Sequence, residues 1–168
     1  KRFDKWLENY DGIVDHKYVF TQIGYNLKPL DVQGAVGIEQ LKKFEHIHVQ
    51  RRKNKRIIGN IFSKIKGVRV VNEKNNAETS WFGVPIVCDN NNIKQTLVKH
   101  LEKNRIQTRN YFAGNILMHP AYSKIDDFKK YPEANKVLDT VFFVGCSPTI
   151  NNKMIEYIAT VVDNYRLL

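Results

Sequence analysis

The sequence predicts an α+β fold, in which a small, mostly antiparallel sheet is covered by helices on one face and preceded by a long helix. Three observations carry this. Apolar residues recur at helical spacing from Pro29 to Ile65, the pattern switches to short extended runs after Gly67, and a second helical stripe closes the chain.

Residues 1–22 show no sustained period. Asp11-Gly12 marks a turn, Tyr18 and Phe20 alternate with Val19 and Thr21 as a short extended piece would, and Gly24-Tyr25-Asn26 reads as a loop. Pro29 suits a first helical turn, where a missing N–H has no partner to lose. Val32, Ala35, Val36, Leu41 and Phe44 trace the stripe, which resumes at Ile57, Ile58, Ile61, Phe62 and Ile65 and stops at Gly67. Gly34 and Gly37 would each cost about 1 kcal/mol inside a helix, so close packing against another element is expected there. The span is long for one helix, and a bend is expected near Arg51-Arg52-Lys53-Asn54-Lys55-Arg56.

Val68–Val71 and Trp81–Val87 read as strands, with Gly83 at a bulge and Pro85 near an edge. Asn90–Asn92 turns and caps a helix running to about Lys103, with Leu97, Val98 and Leu101 inward. Ile106–Phe112 is extended, Ala113–Tyr131 irregular, and Ala134–Leu138 a short helix. Val141–Val144 is the most apolar run and reads as a buried strand. Asn151 caps a last helix whose Ile155, Ile158, Ala159 and Val162 recur at i, i+3, i+4 and i+7.

With 168 residues, 42% of them apolar, the chain can bury one real core. No apolar stretch is long enough to span a membrane. The first residues lack the apolar core of a signal peptide, and a start without Met inside a basic run reads as a fragment. Cys88 and Cys146 lie in apolar runs, as buried free thiols of a reducing cytoplasm would. The net charge of +10 fits nucleic acid, an anionic membrane or a phosphorylated ligand. Its densest part, residues 51–56, is accounted for by a solvated helix face, so nucleic-acid binding is not expected.

The histidines are scattered, and neither a phosphate loop nor a catalytic triad can be drawn. Two segments stand apart. Gly24-Tyr25-Asn26-Leu27-Lys28 puts an amide donor and a mobile cation on a loop before a helix, a pair suited to an anionic oxygen. Arg109-Asn110-Tyr111-Phe112-Ala113-Gly114-Asn115 puts a guanidinium, amides and aromatic rings at a strand end, where they could clamp a phosphate and stack a ring. An ordinary strand end with a surface arginine has the same composition.

These segments also carry a resemblance. Gly24–Lys28, with Gln33-Gly34-Ala35-Val36-Gly37 and Gln40-Leu41, resembles the signature of the DegT-type sugar aminotransferase and dehydratase family. Thr108-Arg109, Phe112–Leu117 and Pro120 resemble a second block of that family, as do Trp81–Ile86 and the terminal helix. Arg2-Phe3 and Asp15–Phe20 are similar to the CDP-4-keto-6-deoxy-D-glucose 3-dehydrase branch, whereas His119 departs from that branch's more usual Gln.

The resemblance implies the aspartate-aminotransferase (type I) fold and pyridoxal phosphate (PLP). Residues 1–30 would be a remnant of the large PLP-binding domain, 31–66 a long connecting helix, and 67–168 the small C-terminal domain. Asn26, with Tyr25 and Lys28, would reach the cofactor phosphate across a homodimer. Arg109, Phe112, Gly114 and Asn115 would lie at the nucleotide-sugar pocket. The dehydrase branch deoxygenates C3 of a 4-keto-6-deoxyhexose for surface polysaccharides. It uses PLP, a histidine base, a [2Fe–2S] cluster and an iron–sulfur flavin reductase, with the histidine and cluster ligands upstream of this chain. The chain alone would then be inactive. A sugar-aminotransferase fragment and a non-catalytic basic binding module are the competing readings, and apolar surface around Val32–Ile47 is expected to be exposed.

Overall fold

The computed structural model describes residues 3–5, 14, 15, 19, 25, 27, 29–112 and 114–166, which form two compact units, 1–41 and 42–168. In the first, β1 (Phe3–Asp4) pairs antiparallel with β2 (Val14–Asp15), and α1 spans Asp31–Leu41. The Asp11-Gly12 turn and residues 18 and 20 lie outside the described residues. The α1 N-terminus is closed by Gln33, whose Oε1 accepts from Leu30 N–H at 2.8 Å. No residue of α1 is buried. Gly34 and Gly37, expected at a close packing contact, have only open space around them among the described residues.

The second unit begins with α2 (Phe44–Phe62). The expected single helix is therefore two, and the break falls at Lys42–Lys43, where the two units part. The basic run, expected to bend, is unbroken helix. Gly67 acts beyond the helix end. Its φ of +76° turns the chain into β3 (Val68–Val70), and a Cβ there would lie 2.7 Å from Ile93 Cδ1.

The remaining elements are β4 (Gly83–Cys88), α3 (Asn91–Lys103), β5 (Thr108–Asn110), α4 (Pro132–Thr140), β6 (Val141–Gly145) and α5 (Asn152–Arg166). The four long-chain strands form an antiparallel sheet in the order β3-β4-β6-β5. Asn90 caps α3 by accepting from Ile93 N–H, and Asn151 caps α5 by accepting from Met154 N–H, both at 3.0 Å. Gly83 sits in regular register opposite Gly145 rather than in a bulge. It is glycine because a Cβ would lie 2.5 Å from the Phe143 ring. Pro85 lies in an interior strand, not an edge. Its carbonyl accepts from Val71 N–H, so its missing N–H faces the point where β3 has ended.

Strand alternation sorts the sheet's two faces. Val84, Ile86, Cys88, Phe142 and Val144 point into the core, where they meet Ile58 and Phe62 of α2, Leu97 and Leu101 of α3, and Ile158, Val161 and Val162 of α5. Pro85, Phe143 and Arg109 form one cross-strand row of the opposite parity.

The basic run is a solvated face only at Lys53 and Arg56. Arg52 holds Glu73 through two hydrogen bonds of 3.0 and 2.8 Å, and Arg51 donates to the Trp81 carbonyl at 3.0 Å. Asn54 is wholly buried. It donates to the Ser147 and Ile150 carbonyls at 2.7 and 3.4 Å and accepts from Gln50 at 3.0 Å. Removing it strands two part-buried carbonyls, which costs more than one net hydrogen bond. Asn54→Ala is expected to lower stability by about 2–4 kcal/mol in urea titration. A loss under about 0.5 kcal/mol, the range of ordinary surface changes, would show that the turn finds other partners.

Candidate functional site

On the face away from the helices lies a cavity of about 410 Å³, lined by Phe82, Gln107, Arg109, Asn110, Phe112 and Phe143. Phe143 is its floor. The Phe82 and Phe112 ring centroids stand 5.7 and 6.1 Å from that of Phe143, and Tyr111 meets both Phe112 and Phe143 edge-on. Arg109 pairs in register with Phe143, so its guanidinium rises beside the aromatic floor, exposed and without a hydrogen bond or ion pair among the described residues.

Each wall has a local cause. Glu102, near the C-terminus of α3, accepts from Thr108 N–H at 2.6 Å and from its hydroxyl at 2.7 Å, which fixes the start of β5. These Thr108 bonds, joined by the field of Arg109, hold the Glu102 carboxyl below the usual carboxylate range. After β5 the chain turns through Phe112 at φ +53°, a left-handed conformation that costs a residue with a side chain roughly 1–2 kcal/mol. The ring this strain presents is 70% exposed, the arrangement expected where surrounding structure holds a side chain out for a ligand. Gly114 follows at φ +62°, and a Cβ there would lie 2.6 Å from Leu138 Cβ. Arg51 holds the opposite wall from behind. Its guanidinium reaches the carbonyls of Trp81 and Phe82 at 3.0 and 3.4 Å.

The structure separates the predicted site residues. Arg109 and Phe112 line the cavity. Gly114 and Asn115 do not; they build the loop behind it. Asn115 is 3% exposed and its amide is occupied within the chain: it donates to Phe128 O at 3.2 Å and Asn135 Oδ1 at 2.8 Å, and accepts from Leu117 N–H at 3.0 Å. Tyr25 is 93% exposed, while Asn26, Lys28 and Ala113 lie outside the described residues. Sequence reasoning missed Phe82, Phe143 and Gln107. Phe143 is hidden in an all-apolar run, and only the period-2 reading of Arg109 and Tyr111 along β5 points to its face.

Cys88 and Cys146 are buried free thiols, and burial pushes Cys88 up to about 11 and Cys146 upward as well, so neither is poised as a nucleophile. Among the described residues no group of His, Cys, Asp and Glu is placed to hold a metal, and no helix is long and apolar enough to cross a membrane.

The sequence pattern of the DegT/DnrJ/EryC1/StrS aminotransferase family matches residues 7–163. The chain belongs to that family. It is 34% identical over 173 aligned positions to the dTDP-4-dehydro-2,6-dideoxy-D-glucose 3-dehydratase of Saccharopolyspora spinosa, covering 98% of this chain and 37% of the relative. It is 29% identical to the lipopolysaccharide biosynthesis protein RfbH of Salmonella typhimurium, covering 98% of this chain and 39% of that one. Among solved structures, the Escherichia coli GDP-4-keto-6-deoxy-D-mannose-3-dehydratase with bound hydrated PLP superposes with a TM-score of 0.73 at 29% identity, over 87% of this chain and 38% of that one. The chain thus spans less than two fifths of the length of each of these three proteins. Its four-stranded sheet and helices have the fold of part of these family enzymes.

A PLP pocket needs donors for the phosphate, a partner for the pyridine nitrogen and a positioned base. The sheet-face cavity offers rings, amides and one guanidinium, with no carboxylate among its lining residues. The sheet-face cavity does not make that pocket.

Glu102 makes the site's framework sensitive to acid. Its carboxyl lies lower in the folded chain than its ordinary 4.5, so the stability it contributes is present above that pH and lost as pH falls through the folded value. Glu102→Gln is therefore expected to be less stable than the parent at neutral pH, with the gap closing below about pH 4.5. Thermal melts of both proteins across that range check this; a gap independent of pH would show that the Thr108 bonds do not depend on ionisation.

Proposed function

We propose that this chain is the C-terminal, substrate-facing portion of a PLP-dependent nucleotide-sugar 3-dehydratase, and that the sheet-face cavity is where the nucleotide sugar meets it. Residues 1–30 would then continue the large domain, the helices within 31–66 would connect, and 67–168 would form the small domain. One observation carries the reading: the family block around Thr108–Asn115 delivers Arg109 and Phe112 to the same face as Phe82 and Phe143. A guanidinium matches a diphosphate bidentately, and a strained, exposed ring offers a platform for a nucleobase or the apolar face of a sugar. The dehydratase relatives act on dTDP- and GDP-linked sugars by name, which makes a 4-keto-6-deoxyhexose nucleotide the substrate class.

The chemistry belongs to the longer enzyme. PLP would act there as electron sink, with a histidine base, a [2Fe–2S] cluster and a flavin reductase partner all outside this chain, which alone would bind without turning over. A sugar aminotransferase is the second reading, favoured by the family's own description, and a lysine in place of that histidine would decide for it.

Titration of the isotope-labelled chain with GDP, followed by NMR, is expected to shift Phe82, Gln107–Phe112 and Phe143. Arg109→Gln and Phe112→Ala should each weaken binding by about tenfold, the loss of one charge-assisted contact or one stacked ring. Shifts elsewhere, or unchanged affinity in both variants, would sink the assignment.

The same reading includes a homodimer, with Asn26, Tyr25 and Lys28 reaching a neighbouring subunit's cofactor. What supports it is the bare apolar surface of α1: Val32, Val36, Ile38 and Leu41 are all 59% or more exposed. Helices apolar on several sides are built to be covered. Sedimentation of the chain should show concentration-dependent association, weakened at least about tenfold by Val36→Glu with Leu41→Glu, since each buries a charge in an apolar contact. A clean monomer at high concentration would contradict this.

A further inference from the structure

A second concavity lies between α2 and the β3–β4 connection, with a volume of about 830 Å³. It shares no lining residue with the sheet-face cavity. One stripe of α2 forms its floor: Arg52 follows His48 by four residues, and Lys55 and Arg56 follow Arg52 by three and four, so their side chains fall on one face.

The electrostatics of this stripe are incomplete. Lys55 is 7% exposed, yet no carboxylate lies within ion-pair distance of it among the described residues. Its Nζ donates to Asn72 Oδ1 at 2.7 Å and sits 4.5 Å over the Trp81 ring, both neutral partners. A buried ammonium without an anion is costly, and burial accordingly draws this lysine below its ordinary range, with Glu73 acting the other way. Beside it, His48 Nδ1 is buried with no hydrogen-bond partner. Lys53 and Arg56 reach the same groove, exposed and without an ion pair among the described residues.

The carboxylates present do not cancel these charges. Glu73 is engaged by Arg52 and by Thr79 N–H. Glu78 stands 4.0 Å from Arg52, and Glu45 lies a full turn and more away from Arg52 at the start of α2. After the Arg52–Glu73 pair, three cations and an unpaired imidazole face two carboxylates.

We propose that this groove binds the phosphoryl group of a small phosphorylated ligand, at a site separate from the sheet-face cavity. Lys53, Lys55 and Arg56 line the groove with more N–H donors than the two oxygens of a carboxylate can use, whereas a phosphoryl group has three oxygens and a higher charge. The volume leaves room beyond a bare ion, and the stacked Phe44–His48 pair, with centroids 5.8 Å apart, offers a flat wall for the remainder of the ligand.

The test uses the whole chain, in thermal-shift and calorimetric titrations at constant ionic strength, with inorganic phosphate and with AMP as the two probes. Four proteins are compared: the parent, Arg109→Gln, Lys55→Met, and the double variant Lys53→Gln with Arg56→Gln. Saturable binding is expected in the parent and in Arg109→Gln alike. The double variant, both of whose positions are exposed, should fold normally and bind at least about tenfold more weakly, the loss of charge-assisted contacts. Equal response to both probes identifies the phosphoryl group alone as the ligand. Response to AMP alone identifies a larger phosphorylated molecule, and both support the site when Arg109→Gln keeps the response and the double variant loses it. No saturable binding of either probe, a response matched by sodium chloride, or a response the double variant keeps in full overturns it. Loss in Arg109→Gln with retention in the double variant also overturns it, by assigning the binding to the other cavity. Lys55→Met should bind more weakly as well, and full binding in a cooperatively melting Lys55→Met overturns the site.

Discussion

Everything on both faces of this sheet depends on how one turn and a half of α2 grips backbone that is not its own. Arg51, Arg52, Asn54 and Lys55 reach four separate places: the Trp81 carbonyl, Glu73, the Ser147 carbonyl and the Asn72 amide. None of these partners sits in regular sheet pairing. They lie in the loops between β3 and β4 and between β6 and α5, which α2 thereby ties down. Hydrophobic contact from Ile58, Ile61 and Phe62 supplies most of the driving force for docking α2, but it is non-directional. The polar grip sets the rotation and register of the helix on the sheet, and with them the placing of both cavities.

The block from Thr108 to Asn115 shows a division of labour that composition alone conceals. Arg109 and Phe112 face solvent and a possible ligand, while Gly114 and Asn115 are committed inward. The second pair makes the first possible. Phe112 can hold a left-handed backbone only if the residues after it are fixed, and Gly114 is pressed against Leu138 while Asn115 ties the loop to Phe128 and Asn135. A motif of this kind preserves a conformation as much as a chemistry.

Much of the fold is legible in the sequence because its signals are local. The asparagine caps at Asn90 and Asn151 and the apolar stripes of α3 and α5 each act within a few residues. The failures share one cause: the deciding partner is remote in sequence. A run of five cations and one asparagine has the composition of a solvated face, and only contacts 17 to 96 residues away turn it into a fastening. The break at Lys42–Lys43 carries neither Pro nor Gly. Phe143 sits in an unbroken apolar strand, where periodicity cannot assign a face; its outward direction follows from pairing with Arg109. Pro85 reads as an edge residue because the premature end of β3 beside it is invisible in one dimension.

The two cavities meet at a single dipeptide. The Trp81 ring lies under Lys55 in the groove, and the Phe82 ring stands on Phe143 at the sheet-face site. Successive side chains of an extended segment point to opposite sides, so the dipeptide divides itself between them by geometry alone. Both of its carbonyls are held by the one guanidinium of Arg51, and Cys146 Sγ donates to the Trp81 carbonyl at 3.3 Å. The two rings thus share a backbone anchored at one point. The Arg51 bonds that fix the Trp81 and Phe82 carbonyls therefore position a ring in each cavity. Gly83, next in the chain, leaves no room for a Cβ against the Phe143 ring, so the packing that holds Phe82 continues into β4.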